Sequence, residues 1–154
     1  MKAKDLIIMT IFIFIILILS SFFLKRRIDT EKFISISDKY DLKIMDVTNQ
    51  FAAIKTMKKA TIAESKDAWQ IEFYEFINKK EAKIMFQNNL QDYNNLKPGS
   101  VSSTKKDLLT SSYFTVVTST RYYHVCRVKD TILYVNVPME YQKDVEKIIK
   151  RLGY

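Results

Sequence analysis

The stretch YFTVVTSTRYYHVCRVKDTILYVNVP, Tyr113 to Pro138, leaves the chain few choices of fold. β-branched and aromatic residues dominate it, and such side chains suit the half-buried pleat of a sheet. Two short polar pairs, Ser119–Thr120 and Lys129–Asp130, cut it into three runs of strand length. Neighbouring runs joined by so little chain must pair antiparallel, because a parallel pairing needs a crossover of about a dozen residues or more. The stretch therefore reads as a three-strand antiparallel meander that stops at Pro138.

The turns also set a register. With Lys129–Asp130 as a two-residue turn, Val128 faces Thr131, Cys126 faces Leu133, His124 faces Val135 and Tyr122 faces Val137. These side chains share one face of the sheet, and its aliphatic members mark it as the core face. Tyr123, Val125, Arg127, Ile132 and Tyr134 then occupy the opposite face, joined by Phe114 and Val116 through the Ser119–Thr120 turn. If uncovered, a mixed aromatic surface of this kind binds a partner. Phe114, Tyr123, Arg127, Ile132 and Tyr134 are the candidate partner-binding face. In the alternative, segment 50–66 or a loop folds over it and the aromatics only stabilise cross-strand pairs.

The remaining elements follow from periodicity. Asp29 or Thr30 can cap a helix running to about Tyr40, with Phe33, Ile36, Ser37 and Tyr40 on one side. KIMDVT reads as a short strand. Residues 50–66 are ambiguous: Phe51–Lys59 has helical spacing, whereas ATIA reads as strand. WQIEFYEF alternates as a half-buried strand should, with Trp69, Ile71 and Phe73 against Gln70, Glu72 and Tyr74. Lys79–Tyr93 carries a helical stripe of Ala82, Met85, Phe86, Leu90 and Tyr93, and KPGSVSSTKK reads as a loop. A last helix, Met139–Leu152, aligns Tyr141, Val145, Ile148, Ile149 and Leu152, and Gly153 stands where a helix terminates. The expected class is α+β, one antiparallel sheet with helices packed on one face.

Ahead of this domain, residues 6–24 are nineteen consecutive uncharged residues, fifteen of them Leu, Ile or Phe. As a helix they extend roughly 28 Å, close to the thickness of a bilayer's hydrocarbon core. At roughly −0.3 to −0.6 kcal/mol each, the fifteen supply on the order of −5 to −9 kcal/mol toward insertion. A cleaved signal peptide has a shorter apolar region and a small-x-small site; here Ser20–Ser21 is followed by Phe22 and Phe23. The expected organisation is a tail over 1–5, an uncleaved transmembrane helix over 6–24, a basic juxtamembrane linker over 25–29 and one α+β domain over 30–154. The lipid bilayer is thus the first expected partner.

Net charge is +8, of which residues 1–27 supply half. The domain is only mildly basic, and Lys55, Lys58 and Lys59 are too few to form the dense stripe of a nucleic-acid reader. No nucleic-acid partner is expected. Phosphate loops of the GxGxxG or GxxxxGK type are absent from the sequence, so no cofactor is expected. His124 and Cys126, each the sole residue of its type, lie two apart on one strand. Catalysis by such a pair needs contact and an orienting third group, and metal binding needs three or four ligands. Both are read as core residues, with no catalytic or metal role. Glu72 and Glu75 fall on opposite faces of their strand and do not form a carboxylate pair.

The strings IEFYEF, KKEAKIMF, YYHVCRVKDTILYVNV and the terminal KIIKRLGY resemble a family of small lipoproteins and membrane-anchored proteins of low-GC Gram-positive bacteria. The resemblance covers most of residues 30–154 and brings no known chemistry. It implies an extracytoplasmic domain tethered to the membrane, although this chain lacks the lipobox cysteine of the lipoprotein members. The positive-inside rule leans by about one charge toward a cytoplasmic C-terminal domain; the resemblance points outside, which is the side expected.

The sequence therefore predicts a single-pass, membrane-anchored binding module for a protein or envelope ligand. An envelope enzyme and a cytoplasm-facing membrane-surface domain are the alternatives. Intact-mass measurement on membrane-fractionated protein should find residues 1–27 still attached; a mature start near Phe22 or Lys25 would refute the uncleaved anchor.

Overall fold

A computed structural model describes residues 27–154 apart from Ala68. The expected tail and transmembrane helix lie outside the described residues, and no helix within them is long and apolar enough to cross a membrane. The elements in chain order are α1 (Thr30–Asp38), β1 (Lys43–Asp46), β2 (Met57–Glu64), β3 (Gln70–Phe76), α2 (Lys79–Leu96), β4 (Ser102–Asp107), β5 (Ser111–Val117), β6 (Arg121–Val128), β7 (Thr131–Pro138) and α3 (Gln142–Leu152). Short 3₁₀ turns cover Thr48–Phe51, Lys97–Gly99 and Met139–Tyr141. The fold is α+β, with a seven-stranded antiparallel sheet in the order β1-β2-β3-β7-β6-β5-β4.

The helices start and stop where local chemistry dictates. Asp29 accepts a hydrogen bond from the Lys32 N–H at 2.9 Å, and Asn78 accepts one from the Glu81 N–H at 3.1 Å. Each satisfies an N–H that the first turn leaves without a carbonyl. Gly153 adopts φ 92°, and its N–H bonds back to the carbonyls of Ile149 and Lys150. A residue with a Cβ is strained in that left-handed conformation.

The register of the meander is the one the turns dictate: Cys126 pairs with Leu133, His124 with Val135, Tyr122 with Val137 and Phe114 with Val125. Successive β7 side chains therefore feed two separate cores. Leu133, Val135 and Val137 join Phe33 and Ile36 of α1 and Val145, Ile148 and Leu152 of α3. Ile132, with Phe114, Val116 and Val125, packs instead against Ala82, Phe86 and Tyr93 of α2. Helices thus cover both faces of the sheet, not the single face expected. The reason lies in α2, whose stripe needs an apolar surface. α1 and α3 occupy the first face, and the aromatic face of β5–β7 supplies the other. Burying each Phe, Val or Ile there contributes roughly 1.5–3 kcal/mol.

Two further segments differ from the sequence reading. Residues 102–107 form β4, an edge strand, rather than loop. Its side chains are almost all exposed, so no alternation announces it, and Lys105 and Lys106 charge the edge against further pairing. The helical spacing at Phe51–Lys59 is not used. The 3₁₀ turn stops at Phe51, and from Met57 the backbone pairs with β3.

At one end of the sheet, charge replaces hydrophobic contact. Glu75, 4 % exposed, accepts from Arg27 Nη2 at 2.8 Å, Lys58 Nζ at 2.5 Å and the Thr30 hydroxyl at 3.1 Å. Arg27 Nε also bonds Asp130 at 2.7 Å, and Ile28 is buried beside it. Arg27 and Ile28, assigned above to the linker, are therefore held by the folded body.

Burial is the largest single influence on the Glu75 carboxyl and pushes its pKa up. The hydrogen bonds from Lys58, Arg27 and Thr30, with the Arg27 charge, outweigh it and hold the pKa below the ordinary 4.5. A carboxyl that ionises more readily in the folded chain stabilises it above its unfolded pKa, and that contribution disappears as the pH falls through the folded value. Glu75→Gln should therefore lower stability near neutral pH by about 2 kcal/mol. In urea unfolding followed by circular dichroism, its deficit relative to wild type should shrink as the pH is taken below 4.5. A pH-independent deficit would refute the charge account.

Candidate functional site: a groove on the second sheet face

Pairing of β3 with β7 places Glu72 opposite Tyr134 and Tyr74 opposite Ile132. On this face α2 packs over β5 to β7, and the 3₁₀ turn after β1 brings the Phe51 ring edge-on to Tyr74 at 5.5 Å. Between these elements lies a cavity of about 290 Å³. Phe51, Met57, Tyr74, Met85, Ile132 and Tyr134 form its apolar walls, and Glu72 and Asn89 are its polar members. A second hollow of about 390 Å³ lies toward Trp69, Gln70, Arg121, Asn136 and Pro138. Glu72 and Tyr134 line both cavities, so an apolar pocket and a polar trough adjoin at these two side chains, and together they are termed the groove. A larger hollow of about 730 Å³ near Asp38, Lys43 and Lys66 is bordered mainly by exposed charged side chains, and its volume alone gives it no recognition chemistry.

Glu72 Oε1 accepts from the Gln70 amide at 2.9 Å, and Oε2 accepts from the Tyr74 hydroxyl. Burial first, then the Glu72 carboxylate, pushes the Tyr74 phenol well above its ordinary value. The same two causes, in that order, raise Tyr134. Both phenols therefore stay protonated at neutral pH. Among the described residues no cation forms an ion pair with Glu72. In the trough, Arg121 bonds the Asn136 side-chain oxygen at 2.6 Å and its carbonyl at 2.9 Å, with the guanidinium 6.0 Å from the Tyr123 ring centre.

The five residues of the expected partner face share one side of the sheet but not one environment. Phe114 is 3 % exposed beneath α2, with ring centres 5.6 Å from Phe86 and 4.8 Å from Tyr93. Arg127, also 3 % exposed, turns its guanidinium to the Ser112 hydroxyl at 2.8 Å and to the carbonyls of Lys129 and Leu108. Neither is open to a partner, because α2 and the β4–β5 connection cover them. Ile132 is the buried floor of the pocket, Tyr134 its half-buried wall, and Tyr123 is half-buried beside Arg121.

Sequence reasoning placed no site at Glu72, Tyr74, Phe51, Met57, Met85 or Asn89. The alternation of β3 does put Glu72 and Tyr74 on one face, but which strand lies beside β3 is a long-range fact. His124 and Cys126 are both buried; the His124 Nδ1 lies 2.8 Å from the Thr115 hydroxyl, and its ring stacks between Tyr113 and Tyr122. Among the described residues no three metal-ligating side chains cluster.

No protein-family model matches the sequence, and no curated protein is similar to it. A solved structure described as a GTP binding regulator from Thermotoga maritima is similar at 14% identity and a TM-score of 0.44, over 82% of this chain and 85% of that one. Likeness at that level carries no functional argument.

The two environments predict different responses. Phe114→Ala should cost about 3 kcal/mol or more by leaving a cavity under α2, whereas Tyr123→Ser, at a half-buried position on the edge of that core, should cost less, about 1–2 kcal/mol. Denaturant midpoints of the two variants decide this; equal losses would mean that α2 does not rest on Phe114.

Proposed function

We propose that the chain is a membrane-tethered binding module that captures its ligand in the groove between α2 and β3. The observation that carries this reading is the shared lining by Glu72 and Tyr134 of an apolar pocket and a polar trough. Concave sites of about 300 Å³ and above, mostly apolar with a few fixed polar groups, suit small ligands and single side chains. The polar groups here are already oriented by their neighbours: Gln70 and Tyr74 fix the Glu72 carboxylate, and Arg121 fixes Asn136. Such preorganisation favours recognition, since little ordering remains to be done on binding. The apolar run at 6–24 supports the tether, and the family resemblance supports an extracytoplasmic side.

Methyl NMR on the full chain in lipid nanodiscs, labelled at methionine, tests the reading. Ligand fragments should perturb Met57 and Met85, which line the pocket, and spare Met139, which packs against the other core. Tyr134→Ala should abolish the response with the dispersion of the spectrum retained. Perturbations that are absent, or equal at Met139, would refute a binding site here.

A further inference from the structure

We infer that the groove recognises a lysine side chain of a partner peptide, with Glu72 as the counter-charge to its ammonium. The inference rests on the binding reading above and names the ligand's chemistry. The two glutamates of β3 differ in what surrounds them. Glu75, shielded on one face, is met by Arg27, Lys58 and Thr30. Glu72, half-buried on the other face, accepts hydrogen bonds among the described residues only from an amide and a phenol. A carboxylate withdrawn from water is costly until a positive charge accompanies it. Neutral donors hold Glu72 in place without supplying that charge.

The walls suit a cation on an alkyl stem. The rings of Phe51, Tyr74 and Tyr134 line the pocket with Met57 and Met85. Aromatic faces attract ammonium groups, and thioethers are polarizable apolar contacts for a methylene chain. Two acceptors line the pocket for the ammonium N–H groups. One is Glu72; the Tyr134 hydroxyl already receives the Asn136 amide. The other is the Asn89 amide oxygen, whose companion nitrogen is committed to the Met85 carbonyl at 2.9 Å. A lysine ammonium brings three donors and no acceptor. An anionic ligand would meet the Glu72 charge in the same space.

The trough argues for a peptide rather than a free amine. It continues from Glu72 and Tyr134 past Gln70, Asn136 and Arg121. Carboxamide and guanidinium groups of this kind bond the carbonyls and N–H groups of a main chain. A lysine with its stem in the pocket leaves its backbone over that trough.

The test titrates the methionine-labelled full chain in nanodiscs with Nα-acetyl-lysine methylamide, n-butylammonium, n-butanol and n-butyrate. The lysine amide should bind most tightly, n-butylammonium next, and the neutral and anionic probes at least about tenfold more weakly than n-butylammonium, a difference of about 1.4 kcal/mol. Glu72→Gln should remove that preference, and Glu72→Asp, which keeps the charge, should retain it. Butanol binding as tightly as butylammonium, or a preference unaltered in Glu72→Gln, would overturn the cation assignment while leaving the groove a binding site. Equal affinity of butylammonium and the lysine amide would overturn the peptide source. No response at Met57 and Met85 to any probe would overturn both the inference and the binding reading beneath it.

Discussion

The ladder between β3 and β7 is the interaction on which the other features depend. β1, β2 and β3 form one antiparallel run, and β4 to β7 form another. Among the described strands, the ladder from Ile71↔Val135 to Glu75↔Thr131 joins them into one sheet. The two strands are separated in sequence by the whole of α2 and three strands, so their pairing closes a long loop and is entropically demanding. Side chains on both faces offset that cost. Phe73 and Leu133 meet in the core beneath α1 and α3, while Ile132 belongs to the core beneath α2. The same ladder puts Glu72 beside Tyr134, so the groove exists only because the two halves are joined in this register.

A strand's two-residue period gives Glu72 and Glu75 unlike fates, although they stand three apart. An odd separation puts them on opposite faces. One becomes the centre of an ion cluster that holds the start of the domain. The other stands at an aromatic pocket, with an amide and a phenol as its hydrogen-bond donors. One physical fact separates them: cations bond the first carboxylate, and among the described residues none forms an ion pair with the second.

Much of the fold was legible in the sequence because its signals are local. The turns at Ser119–Thr120 and Lys129–Asp130 set the register of β5 to β7, and Asp29 and Gly153 bound helices through groups near the helix ends. What covers a face is not local. The sequence showed an aromatic face at Phe114, Tyr123, Ile132 and Tyr134 and a separate apolar stripe on Lys79–Tyr93, but nothing in either string says that they meet. β4 escaped notice because a strand exposed on both sides has no alternation to read. The groove was half legible: Ile132 and Tyr134 were on the expected face, while Glu72 and Tyr74 required the β3–β7 pairing, and Phe51 and Met57 required the path of an ambiguous segment.

The ion cluster at Arg27 also determines how the domain bears tension. Arg27 is fastened to Glu75 at the end of β3 and to Asp130 in the turn before β7, and the Asp130 carbonyl receives the Phe76 N–H at 2.9 Å. A pull on the chain ahead of Arg27 reaches the sheet through these pairs at the end of β3 and the turn before β7. The ion pairs thus add a second path for that load beside the backbone into α1, which packs on β1, β2 and β3. A tug from the N-terminal side therefore has to part the guanidinium from two carboxylates before α1 bears it alone.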